Sequence, residues 1–191
     1  MQVFEKTRGE IEARASKMSD FLKMEYLESC LKKLPDIEIH RFCYQELSKL
    51  YEKNHMYPDA IKYIINFQEI TISRREKINA FLREIELLIK GGYYDRVDYS
   101  YKKLNENMNE KELYDVEIKI KEFYKTEIKN LERSNRYAPL LKAYEKLVKL
   151  TTGEEKIEMK KKILFLYRKL GKVRESIELE RELGLSHERA Y

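Results

Sequence analysis

The sequence is poor in the two residues that most often interrupt regular structure. Among 191 residues there are 6 glycines and 3 prolines, well below the average share of either. So few glycines and prolines leave few positions at which the chain can turn sharply. The sequence therefore favours long helices joined by short turns.

Long hydrophobic segments are also missing. No run of 18 apolar residues occurs, so the sequence predicts no membrane span and no membrane partner. The stretch from Met1 to Glu12 lacks the apolar centre of a secretory signal. The expected compartment is therefore the cytoplasm.

Cysteine and histidine are scarce, with 2 and 3 residues. Cys30 and Cys43 lie in stretches of helical apolar periodicity, which is typical of small buried thiols in a cytosolic chain. The alternative is a metal site, since His40 and Cys43 are three residues apart on one helical face. Such a site needs a fourth ligand, and the spacing matches no zinc pattern. We expect neither a metal nor a cofactor.

The signatures of an enzyme are missing as well. The sequence has no glycine-rich phosphate loop, no paired histidine and carboxylate motif, no nucleophile elbow and no cysteine–histidine signature. His55 falls at the end of a predicted helix, where an exposed or capping role fits better than a general base. We therefore expect no catalysis.

What the sequence does contain is a pattern of large apolar and aromatic residues that occurs three times. In each copy, six such residues are separated by steps of 7, 6, 3, 4 and 3. Steps of 3, 4 and 7 place residues on one face of a helix, whereas the step of 6 spans a turn. The copies are Tyr44, Tyr51, Tyr57, Ala60, Ile64 and Phe67; Phe81, Leu88, Tyr94, Val97, Tyr101 and Leu104; and Tyr124, Leu131, Tyr137, Leu140, Tyr144 and Leu147. The pattern predicts a repeated unit of helix, tight turn and helix.

Residues suited to cap a helix recur with nearly the same period. They are separated by 37, 36 and 43 residues, and the last three are each followed three residues later by a glutamate, as in a capping box. These residues are Asp36, Ser73, Asn109 and Thr152. Caps and apolar residues therefore indicate the same repeat independently.

Together these patterns predict an all-α fold, an α-solenoid of about five antiparallel helical hairpins that forms one right-handed superhelix over residues 1–191. The hairpins are expected at about residues 1–34, 37–72, 74–108, 110–151 and 153–185. The first pair follows the spacing only loosely, as terminal capping repeats often do. Its predicted apolar faces are marked by Phe4, Ile11 and Ala15, and by Phe21, Met24, Leu27, Leu31 and Leu34.

The residues at these positions resemble those of the tetratricopeptide repeat. The best-matching copy is Tyr44, Leu47, Tyr51, Tyr57, Ala60 and Ile64, and the last pair, Ile163, Tyr167, Gly171, Val173 and Ser176, is also similar. The two middle copies depart from the family pattern, with glutamate where leucine is usual and with a larger residue where alanine is typical. Those departures are Glu84 and Glu127, next to Ile85 and Ile128, and Val97 and Leu140. The resemblance implies a superhelix whose groove, lined by the first helix of each pair, binds a peptide or protein segment.

Charge is unevenly distributed along the chain. Residues 1–95 hold 16 basic and 16 acidic residues, whereas residues 96–191 hold 23 and 18, which is the whole net charge of +5. The helix faces that the resemblance places in the groove carry Gln45, Lys49 and Lys53; Asn79, Glu86 and Lys90; Glu122, Lys125, Lys129 and Arg133; and Glu158, Lys161, Arg168 and Lys169. An ordinary solvated helix face remains an alternative reading of these charges.

We expect a non-catalytic adaptor or scaffold that binds a protein or peptide segment, with an acidic segment favoured by the basic groove. The predicted partner-binding residues are Lys125, Lys129, Arg133, Lys161 and Arg168. The alternative is a helical repeat that binds RNA or single-stranded DNA, suggested by 15 tyrosines and by Lys160, Lys161 and Lys162. Most of these tyrosines occupy repeat-defining positions, where they are expected in the core with the hydroxyl near the surface.

Overall fold

The computed structural model describes residues 1–106 and 108–185, and 80% of these residues are helical, with no strand among them. The all-α fold class is therefore confirmed. The α-helices are Arg8–Ala15 (α1), Asp20–Lys33 (α2), Ile37–Lys53 (α3), Tyr57–Ile70 (α4), Arg74–Lys90 (α5), Tyr94–Asn105 (α6), Glu110–Arg133 (α7), Tyr137–Leu147 (α8), Gly153–Lys169 (α9) and Val173–Glu182 (α10). A short 3₁₀ helix, Val148–Leu150, extends α8. Asn107, which falls in the predicted hairpin at about residues 74–108, lies outside the described residues.

The chain forms two compact units, Met1–Asn107 (unit 1) and Met108–Tyr191 (unit 2). In unit 1, each helix from α2 to α6 packs against the helix before it, and α1 contacts both α2 and α3. In unit 2, α8 packs against both α7 and α9, and α10 packs against α9. Within each unit, helices that are adjacent in sequence are thus packed neighbours.

The four hairpin turns share one backbone geometry. Two residues after each first helix ends, the backbone adopts a left-handed conformation, with φ between 54° and 76°. Those residues are His55, Gly92, Asn135 and Gly171. The next backbone N–H donates back to a carbonyl in the last turn of the helix: Met56 to Tyr51 at 2.8 Å, Tyr93 to Leu88 at 2.8 Å, Arg136 to Leu131 at 3.1 Å and Lys172 to Tyr167 at 2.9 Å. This is the Schellman pattern, so one turn design produces all four pairs.

The predicted caps are present in part. Asp36 accepts hydrogen bonds from two backbone N–H groups of α3, and Asn109 forms a full capping box with Glu112. Ser73 and Thr152 occupy the N-cap positions of α5 and α9, but their side chains make no capping bond. For these two helices the predicted capping box was wrong.

The glutamates of the two missing boxes make ion pairs with the preceding first helix instead. Glu76 of α5 accepts from Arg41 of α3 at 2.9 Å, and Glu155 of α9 lies 3.0 Å from the Lys125 Nζ of α7. Each carboxylate can satisfy only a few donors, and here a charged partner has replaced the backbone N–H. The same sequence position thus joins successive first helices in both units.

The core follows the predicted apolar positions closely. Ala60 and Leu88 are fully buried, and most other residues of the three copies are buried or half-buried. Two predictions for the N-terminal helices were wrong, because Phe4 and Phe21 are 72% and 70% exposed. Phe4 precedes α1, which begins at Arg8, so the helical spacing that grouped it with Ile11 does not apply.

Glu84 is buried although it carries a carboxylate. Only 6% of the residue is exposed, and its two carboxylate oxygens accept from Gln68 Nε2 of α4 at 2.7 Å and Ser100 Oγ of α6 at 2.6 Å. The neighbouring Ile85 is fully buried, as predicted. The glutamate that departs from the repeat pattern therefore links the three helices α4, α5 and α6 by hydrogen bonds.

Candidate partner-binding surface

The five predicted partner-binding residues all belong to α7 and α9 of unit 2. The buried side of α7 is formed by Val116, Ile120, Tyr124, Ile128 and Leu131. Lys125 follows Tyr124 by one position, so it lies on a different side of the helix from the buried residues. Lys129 and Arg133 follow at intervals of four residues, so they share that side with Lys125. Lys129 and Arg133 are exposed, and Lys125 is half-buried.

On α9 the buried residues are Ile163, Leu164 and Leu166, and the predicted residues Lys161 and Arg168 are exposed. The Lys125–Glu155 ion pair brings the basic side of α7 to the first turn of α9. The two helices are therefore in contact at the start of α9, whereas Arg168, near the end of α9, pairs with Glu180 of α10. We call the set Lys125, Lys129, Arg133, Lys161 and Arg168 the basic surface.

Two members of the basic surface already have carboxylate partners. Lys125 contacts Glu155 at 3.0 Å and Glu122 at 3.6 Å, and its hydrogen bond to Glu155 raises the pKa of the lysine. Arg168 donates to Glu180 of α10 at 2.8 Å. The sequence did not distinguish these two paired residues from the rest, because Glu155 and Glu180 come from other helices.

The remaining members are exposed cations with no ionic partner among residues 1–106 and 108–185. They are Lys129, Arg133 and Lys161. An additional feature, which the sequence analysis did not single out, is Phe165, which lies between Lys161 and Arg168 and is 58% exposed. Its spacing of four from Lys161 and three from Arg168 could have indicated it. The basic surface therefore offers three free charges and one exposed aromatic ring.

In unit 1, three residues that the resemblance placed in a groove line an open cleft. Gln45 and Lys49 of α3 stand on one side and Asn79 of α5 on the other. The cleft has a volume of about 400 Å³, which is within the range of small-ligand sites. We call it the α3–α5 cleft.

The other groove positions predicted in unit 1 are occupied by ion pairs. Lys53 contacts Asp20 of α2 at 2.6 Å. Lys90 contacts Glu52 of α3 at 2.8 Å and Glu86 at 2.6 Å. Their charges are therefore neutralised within the unit, unlike the free cations of the basic surface.

The floor of the α3–α5 cleft is apolar. It is formed by Ile64 and Phe67 of α4 and by Ala80 of α5, all of them buried. Ser48 of α3 also lines the cleft, and only 2% of this residue is exposed. Its Oγ is buried and makes no hydrogen bond with any residue that the structure describes. Serine at the buried edge of a helix gave no sequence signal for this role.

Among the described residues, the cysteines and histidines show no arrangement of catalytic type. Cys30 and Cys43 are fully buried free thiols, as predicted, and burial raises the pKa of both, that of Cys43 to about 12. His40 Nε2 donates to the Leu34 carbonyl at 2.6 Å, and His55 is exposed in its turn. The described residues contain no group of three or more histidine, cysteine, aspartate or glutamate side chains able to hold a metal ion.

Several core tyrosines use the hydroxyl in a way that the repeat pattern did not specify. Tyr51 and Tyr63 both donate to Glu28 Oε1 at 2.7 Å, and Tyr144 donates to Glu132 at 2.8 Å. Burial and the Glu28 carboxylate raise the pKa of Tyr51 to about 12. These rings are packed and bonded within the units, so they offer no stacking platform for nucleic-acid bases.

Comparison with known proteins adds no identification. No protein-family model matches the chain, and no curated protein matches it. The tetratricopeptide resemblance therefore rests on the residue pattern alone. Among the described residues, no helix combines the length and apolarity needed to cross a membrane.

Proposed function

We propose that this protein is a non-catalytic interaction module, an adaptor or scaffold of the cytoplasm, whose basic surface binds an acidic segment of a partner protein. The observation that carries the proposal is a set of three exposed cations that have no ionic partner within the described part of the chain, Lys129, Arg133 and Lys161. The tetratricopeptide-like arrangement, a superhelix with its groove on the first helices, is part of the same proposal.

The strength of such a surface depends on several charges that act together. An exposed ion pair contributes only about 0–1 kcal/mol, because water and salt screen it. Three cations on adjoining helices can contact one segment at once, and they also raise the rate of association. Lys125 lies one helical turn before Lys129 and makes a partly exposed pair with Glu155, so it could join by exchanging Glu155 for a carboxylate of the partner.

The test uses a fluorescein-labelled, glutamate-rich peptide, whose binding is followed by anisotropy at about 150 mM salt. Reversing all three free cations, Lys129→Glu, Arg133→Glu and Lys161→Glu, should weaken binding at least about tenfold, since attraction becomes repulsion. The matched control reverses three exposed lysines outside the basic surface, Lys102→Glu, Lys142→Glu and Lys149→Glu. Both variants change the net charge equally, so equal binding by the two would overturn the proposal.

The same titration with an oligouridylate of equal charge addresses the nucleic-acid alternative. A protein segment as partner predicts weak binding of this RNA at that salt concentration, because counterion release alone gives little affinity there. Tighter binding of the oligouridylate than of the peptide would favour an RNA-binding repeat.

A further inference from the structure

We propose that the α3–α5 cleft of unit 1 is a second binding site, which takes a small uncharged organic molecule with an apolar body and an amide or hydroxyl group. This site is separate in residues from the basic surface, and it does not depend on the function proposed for that surface. Three observations carry the proposal: the apolar floor, the neutralised charges at the walls and a buried hydroxyl that has no partner among the described residues.

The shape of the cleft follows from the packing of three helices. Arg41, near the start of α3, is joined to Glu76, near the start of α5, and the last turns of the same helices are joined by Glu52 and Lys90. The two helices therefore run in the same direction side by side. Between these ion pairs the floor is provided by Ile64 and Phe67 of α4.

An apolar floor selects an apolar body. Ile64, Phe67 and Ala80 form a surface that loses its contact with water when an alkyl or aryl group covers it. The volume of about 400 Å³ exceeds what a single water molecule needs and suits a molecule of several carbon atoms.

The charged residues of the cleft argue against a charged ligand. Glu76 is paired with Arg41, and Lys49 with Glu46 at 2.9 Å. The Arg83 guanidinium is paired with two carboxylates, those of Glu52 and Glu86. An ion that entered would lose water over an apolar floor without finding a free counter-charge, which is unfavourable.

The polar groups that remain are neutral hydrogen-bonding groups. Gln45 and Asn79 present exposed amides at the rim, and neither bonds another described residue. Below them, the Ser48 hydroxyl is buried and bonds none of the residues that the structure describes. A buried polar atom in that state destabilises the protein, and rotation of the Ser48 side chain towards the cleft would let an amide or hydroxyl there satisfy it. The ligand therefore needs a neutral group that can donate or accept a hydrogen bond.

The test compares three probes of similar size in titrations followed by ¹H–¹⁵N correlation spectra of the full chain. N-butylacetamide is the neutral probe, and butylammonium and pentanoate place a positive or a negative charge on a similar chain. We expect N-butylacetamide to cause saturable shifts in segments 45–49, 64–67 and 79–83, and to bind at least about tenfold more tightly than either ion. An absence of saturable shifts, or equal binding of an ion, would overturn the proposal.

Two variants examine the contacts. Ser48→Ala should weaken N-butylacetamide about fivefold, the effect of one hydrogen bond, and should not lower the stability to urea, because the hydroxyl has no bond to lose. Gln45→Trp should block the rim, whereas Gln2→Trp, at an exposed glutamine outside the cleft, should leave binding unchanged. Unaltered binding by Ser48→Ala, or a loss of stability as large as that of Ser100→Ala, would refute the contact with Ser48.

Discussion

The Glu5 side chain links the segment before α1 to the helices α1 and α2 of unit 1. Its carboxylate accepts from Arg14 Nη1 at 2.7 Å and from the Tyr26 hydroxyl at 2.9 Å. Desolvation by burial would raise the pKa of Glu5, but the hydrogen bonds from Arg14, from the backbone and from Tyr26 outweigh it and lower the pKa from 4.5 to about 2. The ionised carboxylate is therefore the form that stabilises the fold.

This shift predicts a defined acid dependence of stability. The pKa of Glu5 is lower in the folded protein than in the unfolded chain. The stabilisation by its carboxylate is therefore present above pH about 4.5, the unfolded pKa, and is lost as the pH falls towards about 2. Glu5→Gln should thus lower the free energy of unfolding by about 1 kcal/mol near neutral pH, a value that allows for solvent screening. Urea unfolding measures the difference from the natural protein, which should shrink between pH about 4.5 and about 2. A difference that grows on acidification would contradict the assignment.

Single residues also show which buried positions could not be predicted from the sequence. The period identified Leu88 and Ala60 as core, because burial of apolar residues at helical spacing is a local pattern. It could not identify Glu84 as buried, since the partners Gln68 and Ser100 come from helices on either side. Polar contacts between helices depend on packing, which the spacing along one helix does not encode.

Among the structural elements, the hairpin turns were the most predictable. They are also the elements in which a substitution is most readily expected to increase stability. All four use a left-handed residue, yet only two of these positions hold glycine. His55 has φ 58° and Gly92 has φ 76°, in equivalent positions. For a residue with a side chain, this conformation costs about 1 kcal/mol because Cβ approaches the following carbonyl.

Exchanging residues between equivalent turns should therefore have opposite effects. His55→Gly should raise the free energy of unfolding by about 0.5–1 kcal/mol, and Gly92→Ala should lower it by about 1 kcal/mol. Nothing lies within 4 Å of a Cβ built on Gly92, so that loss would be conformational and not a clash. Urea unfolding of both variants provides the measurement. Stabilisation by Gly92→Ala would show that the turn does not carry strain.

The helix termini mark a second limit of sequence reasoning at this scale. The capping-box pattern correctly predicted Asn109 with Glu112, but it failed at the starts of α5 and α9. In both failures the glutamate pairs with a basic residue that precedes it by 30 or more positions, namely Arg41 for Glu76 and Lys125 for Glu155. A local motif cannot show that a distant cation competes for the same carboxylate.

At the scale of the whole molecule, the repeat period predicted an all-α fold, and within each unit the helices that are adjacent in sequence pack together. It did not predict the α3–α5 cleft, because a cleft depends on how far apart two neighbouring helices stand. The basic surface was predicted only in part. The positions of Lys129, Arg133 and Lys161 on exposed helix faces were predicted, whereas the pairing of Lys125 and Arg168 with other helices was not.

In a fold whose helices pack mainly against their sequence neighbours, a destabilising substitution in one helix should also destabilise the helices that contact it. Ala60 of α4 is fully buried where α4 meets α3 and α5, whereas Lys62 of the same helix is exposed. Ala60→Arg should lower the free energy of unfolding by about 3 kcal/mol, because it buries an unpaired charge, and Lys62→Ala should change it by less than about 0.5 kcal/mol. Hydrogen exchange should show the greatest loss of amide protection in α3, α4 and α5. The loss should be smaller in α1, which packs on α2 and α3. Equal stabilities of the two variants would mean that the helical phase of α4 is wrong.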